Sequence, residues 1–218
     1  MRTRIKICGL TRAEDINAAV NAGCDAVGFV FYPPSPRAIS IDKARELRQL
    51  LPAFVDCVAL VVNASEQEVN DIIKYVQPDL LQFHGDETPS ECQRYQHRYL
   101  RAFRLGGPET STADDVLNLC LQYPDASGWL LDSYSGQYGG SGLAFKPQLA
   151  SALLEHPQAR PLIVAGGLTS DTVGPIIKQL KPYAVDVSSG VEDKPGHKSA
   201  SKIRQFISAT NNLQRQAG

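Results

Sequence analysis

A single eight-fold β/α barrel, the TIM-type fold of the α/β class, is what this sequence predicts, and three observations point to it. Eight apolar strand-like runs recur along the 218 residues, at 5–8, 26–31, 55–62, 80–84, 100–104, 129–132, 162–165 and 183–187. Between them lie stretches with helical spacing, such as Val69, Ile72, Ile73 and Val76, or Ala44, Leu47 and Leu51. No linker, low-complexity stretch or shift in composition divides the units, so residues 1–218 read as one domain with a closed parallel sheet inside a ring of helices. A doubly wound dinucleotide fold would place G-x-G-x-x-G after the first strand, and the sequence there is Cys8-Gly9-Leu10-Thr11.

Taken in order, the first strand ends at Cys8 and meets Thr11 with Glu14, a helix-start pair. The second runs into Tyr32-Pro33-Pro34-Ser35-Pro36-Arg37, a loop stiffened by three prolines and ending in a cation. The third is followed by Ser65 with Glu68, and the fourth by Thr88 with Glu91 and Pro89 at the first helical turn. The sixth closes on Asp132 before a glycine-rich segment at 136–142 that includes Gly140, Ser141 and Gly142. Gly166 and Gly167 follow the seventh strand, and Ser188, Ser189 and Gly190 the eighth. Each strand is expected to lead into its own helix, and the polar tail 211–218 is expected to fray.

Composition narrows the function. With 22 basic and 23 acidic residues the net charge is -1, which argues against a nucleic-acid groove or a polybasic membrane anchor. The apolar runs, such as 57–62, are far shorter than the roughly twenty residues that span a bilayer, and no signal-peptide core follows Arg2 and Arg4. A cytoplasmic protein with a small-molecule partner is the expectation. Five cysteines, odd in number and without a C-x-x-C pair, argue against disulfides or a zinc cluster. Four histidines without metal-ligand spacing predict a protein that needs no metal. Helix faces leave monomer and homodimer equally open.

In such a barrel the carboxyl ends of the strands form the working face. Side chains alternate along a strand, so Lys6 and Cys8 share one side, as do Gln82 and His84, and Asp186 and Ser188. Each has an ordinary reading: Cys8 as packed core, Asp132 or Asp186 as caps, His84 as a hydrogen-bonded core residue, Arg37 as a solvent-facing cation. Several ionisable groups at one barrel mouth are costly to bury unless paired or working, which favours function. Three consecutive glycine-rich and serine-rich loops suit an anion cradle, because bare backbone N–H groups can approach a phosphate there. A rigid arm presenting Arg37 suits a bidentate grip on a carboxylate.

The segments KICGLT, GFVFYPPSPR, QFHGDE, LLDS, GGSGLAF, AGGL and VDVSSGVEDKPGHK, in that order over essentially the whole chain, resemble the phosphoribosylanthranilate isomerase family of tryptophan biosynthesis. That resemblance implies a cofactor-free Amadori rearrangement of N-(5-phosphoribosyl)anthranilate, a small phosphorylated aromatic-amine sugar. It further implies Cys8 as general base, Asp132 as general acid, Arg37 as the contact to the anthranilate carboxylate, the glycine loops on the phosphate, and His84 and Asp186 lining the site. A related phosphosugar barrel acting as aldolase, decarboxylase or transferase, with Lys6 as a Schiff-base candidate, and a non-catalytic phosphosugar sensor remain the alternatives.

Overall fold

Eight parallel strands close on one another in chain order. They are β1 (Arg4–Cys8), β2 (Ala26–Phe31), β3 (Asp56–Val61), β4 (Leu80–Phe83), β5 (Tyr99–Leu105), β6 (Gly128–Ser133), β7 (Leu162–Val164) and β8 (Ala184–Val187). The last strand returns to the first, pairing Lys6 with Asp186 and Ile7 with Val187. This computed structural model describes residues 2–133 and 146–215. All eight expected strands are present.

Outside the barrel lie α1 (Ala13–Ala22), α2 (Ile41–Arg48), α3 (Glu66–Val76), α4 (Pro89–Gln93), α5 (Ala113–Cys120), α6 (Val173–Leu180) and α7 (Ala200–Arg215). Between β6 and β7 the expected helix is instead a 3-10 run, Pro147–Leu153. Pro147 at its start and Pro157 soon after its end leave room for about two such turns. The tail expected to fray is helical as far as Arg215, because α7 is anchored by buried Ile203, Phe206 and Ile207, and extending a formed helix adds a bond per residue.

Local signals hold at two of three predicted helix starts. Ser65 with Glu68 and Thr88 with Glu91 both form reciprocal capping boxes. Thr11 does not cap α1: its hydroxyl donates to the Gly196 carbonyl at 2.7 Å, and Arg12 stands at the cap position without a side-chain bond. What diverts Thr11 is an antiparallel pair, β9 (Glu192–Lys194) and β10 (His197–Lys198), folded over the barrel mouth. Strands of three and two residues carry no readable period, so the sequence does not announce them.

Alternation sorts the barrel into two layers. Ile5, Ile7, Val27, Phe29, Trp129 and Leu131 face the helices and join the main core. Val58, Leu80, Leu100, Leu130, Ile163 and Ala184 fill the axis as a second apolar cluster. Buried polar groups, among them Lys6, Gln82, His84, Asp132 and Asp186, stand on the inward parity nearer the carboxyl ends. All five cysteines are buried and free. Among the described residues no helix is long and apolar enough to cross a membrane.

Candidate active site

A cavity of about 710 Å³ opens at the carboxyl ends of the strands. It brings together Cys8, Arg37, His84, Asp132 and Asp186, and at one side Gly166, Gly167, Ser188, Ser189 and Gly190. Gly140, Ser141 and Gly142 lie outside the described residues. Val30, Leu60 and Val62 add an apolar wall that sequence reasoning did not single out, although their inward parity is readable from the strand pattern.

Cys8 ends β1 and faces the axis. Its room depends on Gly28 in β2, where a Cβ would fall 2.7 Å from the Cys8 Sγ. Beneath it the Lys6 Nζ donates to Asp186 Oδ2 at 2.9 Å, with both side chains more than nine-tenths buried. Burial pushes the Cys8 thiol up from its ordinary range; Lys6 and Lys198 pull it down, Asp186 adds to the rise, and the net direction is upward. Burial also works against the Lys6 ammonium, but Asp186 and Cys8 outweigh it and hold Lys6 charged. The first helix, α1, begins at Ala13, four residues beyond Gly9.

Asp132 extends β6 to the mouth. Its Oδ1 accepts the Ser133 backbone N–H at 2.8 Å, and its Oδ2 lies 3.3 Å from His84 Nε2. That approach is within ion-pair range but lacks hydrogen-bond alignment, so Nε2 has no hydrogen-bond partner among the described residues. The other ring nitrogen, Nδ1, is 3.0 Å from Gln82 Nε2. Gly166 is required beside this carboxylate: its φ is +81°, and a Cβ there would fall 2.5 Å from the Ser133 nitrogen.

Arg37 reaches the cavity from the proline-stiffened loop, as its sequence position suggests, but it does not stand alone. Its Nε donates to Glu192 Oε1 at 2.8 Å and its Nη2 to Glu192 Oε2 at 2.7 Å. The Lys198 Nζ donates to the same Oε1 at 2.7 Å and to the Ser188 carbonyl at 3.1 Å. Burial works against the Glu192 carboxylate, yet Arg37 and Lys198 hold its pKa below the usual range; burial lowers that of Lys198 more than Glu192 raises it. Neither Glu192 nor Lys198 was singled out from sequence, although both fall in the VDVSSGVEDKPGHK segment. Both sit in the short β9–β10 pair, and what marks them is buried charge, which is invisible before folding.

The loops after β7 and β8 meet at one side of the cavity, where the Gly190 Cα packs against the Leu168 carbonyl so closely that no side chain would fit. Glycine backbone and small serines gathered there offer N–H groups to an anion. Among the described residues no group of three or more His, Cys, Asp or Glu side chains is arranged to hold a metal.

Comparison with known proteins identifies the relatives of this chain. A family model described as N-(5'phosphoribosyl)anthranilate (PRA) isomerase matches residues 5–209. An N-(5'-phosphoribosyl)anthranilate isomerase of Bordetella bronchiseptica is 54% identical over 213 residues, covering 98% of each chain. One from Pseudomonas aeruginosa is 48% identical over 213 residues, covering 97% of each. The crystal structure of phosphoribosyl anthranilate isomerase from Thermotoga maritima superposes with a TM-score of 0.87 at 37% identity, covering 96% of this chain and 99% of that one. A further structure of such an isomerase, solved in complex with reduced 1-(o-carboxyphenylamino)-1-deoxyribulose 5-phosphate, superposes at 0.83 and 35% identity, with coverage of 96% and 99%. The chain belongs to the N-(5'-phosphoribosyl)anthranilate isomerase family.

Proposed function

We propose that this enzyme, an isomerase of tryptophan biosynthesis by its family, converts N-(5-phosphoribosyl)anthranilate to 1-(2-carboxyphenylamino)-1-deoxyribulose 5-phosphate, with Asp132 as general acid and Cys8 as general base. The observation that carries the reading is a thiol from β1 and a carboxylate from β6 lining one cavity together with the glycine loops that follow β7 and β8. The relative solved with a reduced carboxyphenylamino sugar phosphate supports the same ligand class.

Asp132 delivers a proton to the furanose ring oxygen as the C1–O bond breaks, and the nitrogen lone pair forms a C1=N iminium. That cation acidifies C2. Cys8 takes the C2 proton, and the released electrons form the C1=C2 bond of an enolamine while nitrogen regains its lone pair. Protonation at C1 and loss of the O2 proton complete the ketone, so the atoms balance. Because burial raises the thiol, the neighbouring Lys6 and Lys198 charges are what favour its ionised form. Asp186 Oδ1, buried and without a partner among the described residues, is suited to accept from a sugar hydroxyl. Arg37 meets the ring carboxylate, the apolar wall the ring, and the loops at Gly166–Gly167 and Ser188–Gly190 the phosphate.

Loss of phosphoribosylanthranilate fluorescence on adding the purified protein tests the activity; no loss at any protein concentration would overturn it. A Schiff-base aldolase is disfavoured, since Lys6 is held charged against Asp186 and its ammonium is not nucleophilic.

A further inference from the structure

Glu192 is the most heavily engaged carboxylate at the mouth, and the reaction proposed above gives it no task. Its side chain is 5% exposed, and three charge-assisted bonds fall on its two oxygens: Arg37 Nη2 on Oε2, and Arg37 Nε with Lys198 Nζ on Oε1. Lys198 is fully buried at its side chain and directs its remaining donors to the Ser188 carbonyl and hydroxyl, at 3.1 and 3.3 Å. One anion therefore ties the arginine on the loop after β2 to the serine that opens the loop after β8.

We infer that Glu192 is a positioning residue for carboxylate recognition: it fixes the plane of the Arg37 guanidinium by its Nε–Nη2 edge and presents the rest of that fork to the substrate's ring carboxylate. The inference rests on the proposed role of Arg37. Three features support it. The fork engages Nε and Nη2 and leaves Nη1 outside the pair, while Arg37 itself lines the cavity. The arginine stem is pressed over Gly9, whose φ is +75° and whose Cβ, were there one, would lie 2.5 Å from Arg37 Cδ. An arginine already held in its binding geometry loses less rotamer freedom when a ligand arrives.

The charge count is the third. A buried carboxylate that served only to staple two loops would need one cation, and a second buried cation is costly unless it is used. Two cations against one carboxylate leave a single positive charge in the cluster, which suits a ligand carrying anions at both ends. Lys198, joined to the same carboxylate and to Ser188, links Arg37 to the loop after β8.

The test compares two ligands on the purified enzyme: 1-(2-carboxyphenylamino)-1-deoxyribitol 5-phosphate and its counterpart without the ring carboxylate, each titrated calorimetrically. Glu192→Gln is expected to weaken the carboxylated ligand at least about tenfold and the other less than about twofold, with no further loss when combined with Arg37→Ala. Glu192→Asp, which keeps the charge and withdraws the fork by one methylene, is expected to show the same selectivity at smaller size, and it serves if Glu192→Gln does not fold. Equal weakening of both ligands, or unchanged or tighter binding of the carboxylated one, overturns the inference. Arg37→Ala alone separates the two readings. If it weakens both ligands equally or neither, the role given to Arg37 fails; if it is selective and the Glu192 variants are not, only the positioning role fails.

Discussion

Cys8 and Cys57 are both buried thiols on barrel strands, and they differ in which side of the strand they occupy. Cys8 faces the axis beside Lys6 and Asp186; Cys57, in β3, faces the helices within the main apolar core. Burial pushes both thiols up. For Cys57 the one opposing charge is that of Arg48, and the thiol reaches about 12. For Cys8 two lysines, Lys6 and Lys198, oppose the burial. Burial alone therefore does not tell the two thiols apart; parity along the strand does, because the inward side converges on the other charged groups.

The sharpest way to break this contrast is substitution. Cys8→Ser and Asp132→Asn are each expected to lower kcat at least about a hundredfold, the low end of what a positioned acid or base supplies. Cys57→Ser, equally buried, is expected to stay within about twofold. Steady-state assays on variants whose melting is intact decide it, and a comparable loss at Cys57 would erase the distinction. The next effect is in pH. If Cys8 is the base proposed above, it must lose its proton, and because its pKa is raised kcat/KM is expected to climb with pH from 7 through the ordinary thiol range, by up to about tenfold per unit. A profile flat from about pH 7 to 9 would remove the thiol from the rate equation.

Arg37→Ala is expected to raise KM about tenfold with a smaller change in kcat, and an unchanged KM would count against its carboxylate contact. The smallest effect belongs to Cys57. Its folded-state pKa lies above the unfolded value of about 8.5, so the unfolded chain binds fewer protons between that value and about 12, and stability falls as pH rises across this window. The slope is at most about 1.4 kcal/mol per pH unit for one thiol. Cys57→Ala should flatten the alkaline fall in urea midpoint by that share, and an identical fall in both proteins would refute the linkage.

The barrel was legible because its signals are local and repeated. Apolar runs such as 26–31 and caps such as Ser65 with Glu68 need no knowledge of distant neighbours. The site was half legible by the same logic. Strand ends and parity pointed to Cys8, Asp132 and His84, which share the cavity. What escaped were contacts made across the chain. Arg37 looked like a lone cation because Glu192 is 155 residues away, and Thr11 looked like a helix cap because its acceptor, Gly196, is 185 residues away. No spacing rule reaches that far, and the two short strands that bring those partners in have too few residues to show a period.

Pairing of β1 with β8 gives this distance a biological meaning. A nascent chain that stops short of Asp186 already carries Cys8 and Asp132, yet Lys6 lacks its Asp186 partner and Arg37 its Glu192 partner. Both partnerships therefore wait on the last segment of the chain, and they are complete only once β8 closes the seam against β1.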